Sequence, residues 1–301
     1  MRKRLLEQIP EFKKKINTFY KENKREFPWR NTSDPYKIVV SEIMLQQTQT
    51  VRVVEKYAAF LKSFPTVSHL AKASQSEVLG LWQGLGYNRR ALYLKRTAEI
   101  VCEKYGGTFP RLKSQLISLP GIGPNTAGAV IAFAYNKPVV FIETNIRRVF
   151  IHEFFREKES IDDKEIYPLI DATLPAPREE QNRSTKSGSE FTSEGSSRNT
   201  EGVSEDVRDW YYALMDYYGA YLGKIEQNPN RKSLSYSKQS KFEGSQRQVR
   251  GKLLKLLLIK ERTLSSLDKE FVNKDHLKNA VEQLVKEGFI SKKEGKLYLK
   301  P

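Results

Sequence analysis

The sequence is poor in cysteine, in long apolar stretches and in acidic charge, and each shortage removes a class of protein. Its one cysteine, Cys102, lies on the apolar side of AEIVCEKY. A single thiol excludes a disulfide framework and reads as a buried structural residue. No run reaches eighteen apolar residues, so no ordinary membrane-spanning helix is encoded. The N-terminal MRKRLLEQIPEFKKKINTFY reads as an amphipathic helix without a cleavage pattern, which predicts a soluble, cytoplasmic chain with no membrane partner. The three histidines, His69, His152 and His276, are isolated and lack metal-ligand spacing. Acidic residues number 36 against 52 Lys and Arg, and the resulting net charge of +16 favours a polyanionic partner.

What is present is mostly helical periodicity, up to about residue 155, with strand signals only at the very end; the fold class expected is mainly α. Residues 119–130, LPGIGPNTAGAV, read as two helices joined by a Gly-x-Gly turn. Glycine lets a backbone adopt positive φ and lie flush against an anion, so the N–H groups of Gly121 and Gly123 suit a nucleic-acid phosphate, with the helix beginning near Asn125 adding its positive end. Residues 176–206 hold almost no aliphatic side chains and are rich in Ser, Glu and Gly, which predicts a disordered surface insert. From 245 to 301 the pattern is three helices followed by a hairpin around Lys293–Gly295, an order that resembles a winged helix. This module carries fourteen Lys and Arg against seven Asp and Glu, and its 274–287 helix is the one expected to face DNA.

FPWR at 27–30, SEIMLQQTQ at 41–49, GLGYNRRA at 84–91, the Gly-x-Gly turn and FIETNIRRVF at 141–150 together resemble the helix-hairpin-helix (HhH-GPD) DNA glycosylases, and within them the MutY-type adenine glycosylases. The resemblance covers roughly residues 20–235, apart from the insert. It implies a two-lobed fold: a helical barrel over 26–135 that includes the hairpin at 119–130, and a second lobe from 1–25 plus 136–230, with the winged-helix-like module appended at 245–301. It implies double-stranded DNA with a mispaired or damaged base as partner, a monomeric state and a place with the prokaryotic nucleoid. Most such enzymes hold an iron–sulfur cluster on four cysteines near 219–245, where this chain has none, so no cofactor is expected there. The basic residues of that stretch, Arg231 and Lys232 among them, are expected to take over phosphate contacts. A monovalent cation on the hairpin carbonyls of Leu119, Gly121 and Gly123 is also expected. The Nudix-like C-terminal domain usual in the family has no counterpart in this tail.

Hydrolysis of an N-glycosidic bond requires the base to leave the stack, its leaving nitrogen to be protonated, and the developing sugar cation to meet an anion. Glu42, flanked by apolar residues in VVSEIMLQQ, suits the acid role, since desolvation raises a carboxyl pKa; it matches the family's adenine-protonating glutamate. Glu143 matches a position that is normally aspartate, which caps the next helix and faces the sugar. Glutamate is longer and a poorer cap, so displaced oxygens are expected unless the backbone compensates. Asn145 is expected to orient that carboxylate or a water. Asn125 stands where bifunctional members carry lysine, and its amide is no nucleophile, so a monofunctional enzyme is expected.

By the same resemblance Gln46 and Gln47 form the wedge filling the gap left by the flipped base, and Thr126 joins the DNA-contacting hairpin. Trp29 and Arg30 are expected in the base pocket, Tyr87 in the pocket or against a stacked strand, and Arg89 and Arg90 on phosphates. The function expected is excision of adenine opposite 8-oxoguanine or G. Two alternatives stand beside it: a glycosylase for mispaired thymine, uracil or another damaged base, and a DNA-binding protein with a relic active site.

Overall fold

The computed structural model describes residues 2–175, 206–225, 227–238 and 241–300. In chain order the helices are α1 (Arg2–Glu7), α2 (Ile9–Asn23), α3 (Pro35–Leu45), α4 (Thr50–Ser63), α5 (Val67–Lys72), α6 (Gln75–Trp82), α7 (Arg89–Tyr105), α8 (Lys113–Ile117) and α9 (Pro124–Tyr135). They continue with α10 (Thr144–Phe154), α11 (Asp163–Thr173), α12 (Val207–Asp216), α13 (Gly223–Ile225), α14 (Gln246–Ile259), α15 (Leu264–Asp268) and α16 (Lys274–Lys286). Strands β1 (Arg262–Thr263), β2 (Ile290–Lys293) and β3 (Lys296–Leu299) complete the described chain. The fold is mainly α, as its apolar spacing requires.

The chain divides into two compact units, the first formed by residues 1–33 and 127–237, the second by 34–126 and 238–301. The divisions therefore fall at Ser33 and inside α9 rather than near 26 and 135. The 245–301 segment belongs to the second unit. The expected insert lies outside the described residues except for Asp206, which caps α12 by accepting from the Asp209 N–H at 3.1 Å. The single N-terminal helix expected from the pattern is instead two, because Pro10 occupies the first turn of α2, where its missing N–H costs nothing.

In the first unit α2 presents Phe12, Ile16 and Tyr20 to α10 and α12. Phe12 meets Phe150, Phe154 and Trp210 edge-on at 5.5, 5.0 and 6.0 Å. A buried charge cluster fixes the chain that follows α2. Asp216, wholly inaccessible, accepts from Arg25 Nε at 2.6 Å, from the Arg25 backbone N–H at 3.0 Å and from both terminal nitrogens of Arg30 at 2.7 and 2.8 Å. After α12 the backbone widens into a π-helical turn over Tyr217–Leu222.

In the second unit α7 is central, burying Ala91, Leu94, Ala98 and Val101 against α3, α5 and α6. The C-terminal module packs Leu253, Leu254 and Leu257 of α14 with Leu277 and Leu284 of α16, Phe289 and Leu297 in a core of its own. Its strands pair antiparallel in the order β1–β3–β2. The β2–β3 turn places Glu294 and Gly295 at φ 51° and 75°, the two positive values a tight two-residue hairpin requires.

Candidate nucleic-acid interface and active site

In the second unit the sequence SEIMLQQTQ runs off the end of α3. Asp34 starts that helix by accepting from the Tyr36 N–H at 2.9 Å. Ile38, Val39, Ile43 and Met44 are buried, while Glu42 on the same helix is half-buried. Beyond Leu45 the chain turns sharply, with Gln47 exposed and at φ 55°. The turn is held by Arg90, which donates to the carbonyls of Ile43, Met44 and Gln46 at 2.7, 3.0 and 2.5 Å. It also donates to Thr48 Oγ1, Leu85 O and Gly86 O at 3.1, 3.0 and 3.0 Å. This guanidinium is buried, so it is a strut and not the phosphate contact its place in GLGYNRRA suggests. Desolvation lowers its pKa to about 10, with Tyr87 pulling the other way. Tyr87 itself sits at φ 46°, a left-handed position that a bulky residue adopts only when its surroundings over-determine it. Gln47 and Tyr87, two strained residues, thus emerge from the loops that one arginine ties together.

The hairpin lies beside them. Ile122 N–H closes the turn onto Leu119 O at 3.2 Å, and Thr97 Oγ1 donates to Pro120 O at 2.8 Å. Gly121 has φ 77°, and a Cβ there would stand 2.9 Å from the Tyr93 Cβ, so the residue must be glycine. Gly123 differs: its φ is ordinary and a side chain would meet open space, so its place near the start of α9 carries the argument, not its freedom. Pro124 opens α9, Asn125 is exposed in its first turn, and Gln46 Nε2 donates to Thr126 Oγ1 at 3.3 Å. That bond links the hairpin to the α3 turn.

In the first unit Glu143 caps α10. Its Oε1 accepts from the N–H groups of Asn145 and Ile146 at 2.7 and 2.8 Å, in an extended backbone at φ −107°, ψ 174°. The longer side chain folds back onto its own helix, so the displacement expected for glutamate is absorbed and the cap forms. Desolvation pushes the Glu143 pKa above the ordinary carboxylate value, against the opposing pull of those two N–H groups and of Arg148 and Arg147. Arg148 donates to Asn145 Oδ1 at 3.2 Å and to Asn228 Oδ1 at 3.0 Å. Asn228 lies within the 219–245 segment, where the family's cluster loop is expected. That segment is fastened by a parallel bridge between Ile161 and Ser233, with Ile161 N–H on Lys232 O at 2.9 Å and Leu234 N–H on Ile161 O at 3.0 Å. It therefore buttresses Arg148 and, through it, Asn145.

Other expected site residues are placed differently. Trp29 is buried and stacks on Phe27 at 5.1 Å, and the buried Arg30 side chain sits on Asp216 with its guanidinium 4.4 Å from the Tyr212 ring centre, so both contribute to the packing of the first unit. Arg89 is exposed and pairs with Glu287 of the C-terminal module. Lys232 Nζ donates to Arg156 O at 2.6 Å, while Arg231 is exposed on the same turn. Cys102 is half-buried, 3.6 Å from Ser68 Oγ. Asp216, Arg148 and Asn228 are not evident from the sequence pattern; an acid inside the aromatic run WYYALMDYY is the available signal for the first. An iron–sulfur cluster of the four-thiolate kind does not fit one cysteine, and among the described residues no three His, Cys, Asp or Glu side chains converge as a metal site.

Residues 40–172 match the family described as HhH-GPD superfamily base excision DNA repair protein. The chain is 38% identical over 159 residues to the adenine DNA glycosylase of Buchnera aphidicola subsp. Baizongia pistaciae, spanning 53% of this chain and 44% of that one. It is 37% identical over 159 residues to the enzyme of that name from Mycolicibacterium smegmatis, spanning 52% and 54%. The chain thus spans about half the length of the curated relatives it matches. Among solved structures, a thermostable thymine-DNA glycosylase superposes with a TM-score of 0.57 at 25% identity, covering 74% of this chain and 91% of that one. An endonuclease III–DNA covalent intermediate superposes at 0.54 and 16% identity, covering 72% and 86%, which is a likeness of fold.

Proposed function

We propose, from the match of residues 40–172 to the HhH-GPD superfamily of base excision DNA repair proteins, that the protein is a monofunctional DNA glycosylase that hydrolyses the N-glycosidic bond of adenine mispaired with 8-oxoguanine or G. The observation that carries the reading is the strut: Arg90 binds the SEIMLQQTQ turn, where Gln46 and Gln47 follow Glu42 by about one helical turn, and the GLGY loop, which ends in Tyr87, into one piece. Gln46 and Gln47 fill the gap in the duplex, and Gly121, Gly123 and Thr126 hold a phosphate by backbone and hydroxyl. Glu42 gives a proton to the departing base. Glu143, fixed by its own helix and flanked by Arg148 and Asn145, faces the sugar as its positive charge grows, and a water completes the reaction. Asn125 supplies no amine, so the product retains an intact strand at the abasic site. A monovalent cation on the hairpin carbonyls, a monomeric state and a cytoplasmic location belong to the same proposal.

The test is to incubate the purified protein with duplexes carrying A·8-oxoguanine, A·G, T·G and U·G and to cleave abasic sites with alkali. Adenine release is expected, abolished in Glu42→Gln while DNA binding persists; borohydride should trap no covalent adduct with the wild type. Glu143→Asp should lower release, since the present backbone is set for the longer side chain. Release from T·G alone would favour a thymine-directed enzyme, the reading suggested by the 25% identical thymine-DNA glycosylase. No release from any duplex would refute the proposal.

A further inference from the structure

The C-terminal module meets the helical part of its own unit along one line. Arg247 on α14 donates to the Tyr87 hydroxyl at 2.6 Å, with its guanidinium 5.3 Å from that ring centre. Gln75 donates to the carbonyl oxygens of Phe289 and Gly288 at 3.1 and 3.4 Å. Glu287 receives Arg250 at 2.5 Å and also pairs with Arg89. Among these bonds runs an open groove of roughly 1340 Å³, bounded by the Gln46–Gln49 turn, the Gln83–Arg90 loop and α14. That volume exceeds the range of about 300–1,000 Å³ usual for small-molecule sites. Seven Lys and Arg line it against one carboxylate, Glu287, and that carboxylate is already engaged by two arginines.

The sequence pattern favours α16 as the DNA-facing helix of this module. The structure argues otherwise. Helix α16 carries three lysines against two acids, gives one face to the module core, and uses its C-terminal end to meet Arg250 and Arg89. Helix α14 carries Arg247, Arg250, Lys252 and Lys255 with no acid at all, and all four line the groove opposite Arg52 and the strained Gln47 and Tyr87. We infer that α14, not α16, is the DNA-contacting helix of the C-terminal module, and that it forms the second wall of a groove taking the DNA backbone alongside the Gln46–Gln47 turn. The inference rests on the reading that the protein acts on DNA, and it gives the module a docking mode different from insertion of a recognition helix.

The test measures affinity for an undamaged duplex as a function of salt, with the full chain. Removing one phosphate-binding side chain should lower the slope of log affinity against log salt by about one. Lys255→Glu on α14 and Arg52→Glu on the facing wall, both exposed, should each weaken binding about tenfold and flatten the plot by that amount. Lys255→Ala and Arg52→Ala should flatten it equally without adding negative charge, which keeps the test sound should a reversal disturb folding. Lys274→Glu with Lys278→Glu on α16 should stay within twofold of wild type. Unchanged slopes for the α14 and Arg52 variants, or an equal weakening by the α16 pair, would overturn the inference. A wild type that shows these slopes yet releases no base from any mismatch supports the groove and refutes only the catalytic reading.

Discussion

The two units each fix a segment of chain with buried arginine, and they do so by opposite means. In the first, one inaccessible carboxylate, Asp216, gathers Arg25 and Arg30, so charge meets charge. In the second, the two terminal nitrogens of Arg90 donate to six oxygens, five from the backbone and one from a hydroxyl, and none of them belongs to an acid. The first arrangement secures the junction after α2, where nothing need move. The second keeps its positive charge uncompensated beside the Gln46–Gln47 turn, and the same side chain that shapes the loops contributes field toward an anion. A carboxylate partner for Arg90 would have neutralised that charge and drawn its N–H groups away from the loop oxygens.

The contrast predicts an order of losses. Asp216→Ala strands two guanidinium groups in the first unit and should cost about 3–5 kcal/mol, read as a shift in the urea midpoint. Arg90→Met strands only neutral acceptors, three of them, Gln46 O, Thr48 Oγ1 and Gly86 O, part-buried, and should cost about 2–3 kcal/mol. Its amides at 46–48 and 85–87 should lose exchange protection ahead of the rest of the chain. A larger loss for Arg90→Met than for Asp216→Ala would break the comparison. The smallest effect on stability is expected at Glu143. Its folded-state pKa is raised, so its contribution to stability is complete at pH below the ordinary carboxylate value and declines as pH climbs through the raised one. Glu143→Gln should remove that decline, leave the variant as stable as wild type or slightly more so at neutral pH, and still reduce base release at least a hundredfold. Parallel denaturation series at acidic and neutral pH decide it.

Much of the site is legible in the sequence because it is local. The Gly-x-Gly turn, the polar tail of α3 and the carboxylate before α10 are each contained in a dozen residues. The residues that sequence misplaces are those whose partners are distant. Arg90 reads as a phosphate contact until its acceptors, more than forty positions away at Ile43 to Gln46, are seen to converge on it. Arg30 reads as a pocket cation until Asp216 appears 186 residues later. Glu143 reads as a poor cap on propensity alone, and the extended backbone that lets it fold back is a property of the turn, not of the residue type. In the C-terminal module the element order and the basic character of α14 are visible, but that all four of its cations line one groove emerges only in the fold.

The discontinuous first unit also has a temporal consequence. Phe12 and Ile16 of α2 are made early, whereas Trp210, which covers Phe12, and Asp216, which neutralises Arg25 and Arg30, come about two hundred residues later. At roughly 5–20 residues per second, α2 waits on the order of 10–40 s for its cover. For that interval a ribosome carries an apolar helix face followed by two arginines without their acid, while residues 34–126 emerge in one uninterrupted stretch. The nascent chain is thus exposed to chaperones at α2, and a pause or truncation before Asp216 yields a product that has lost one unit and kept the other's helical part.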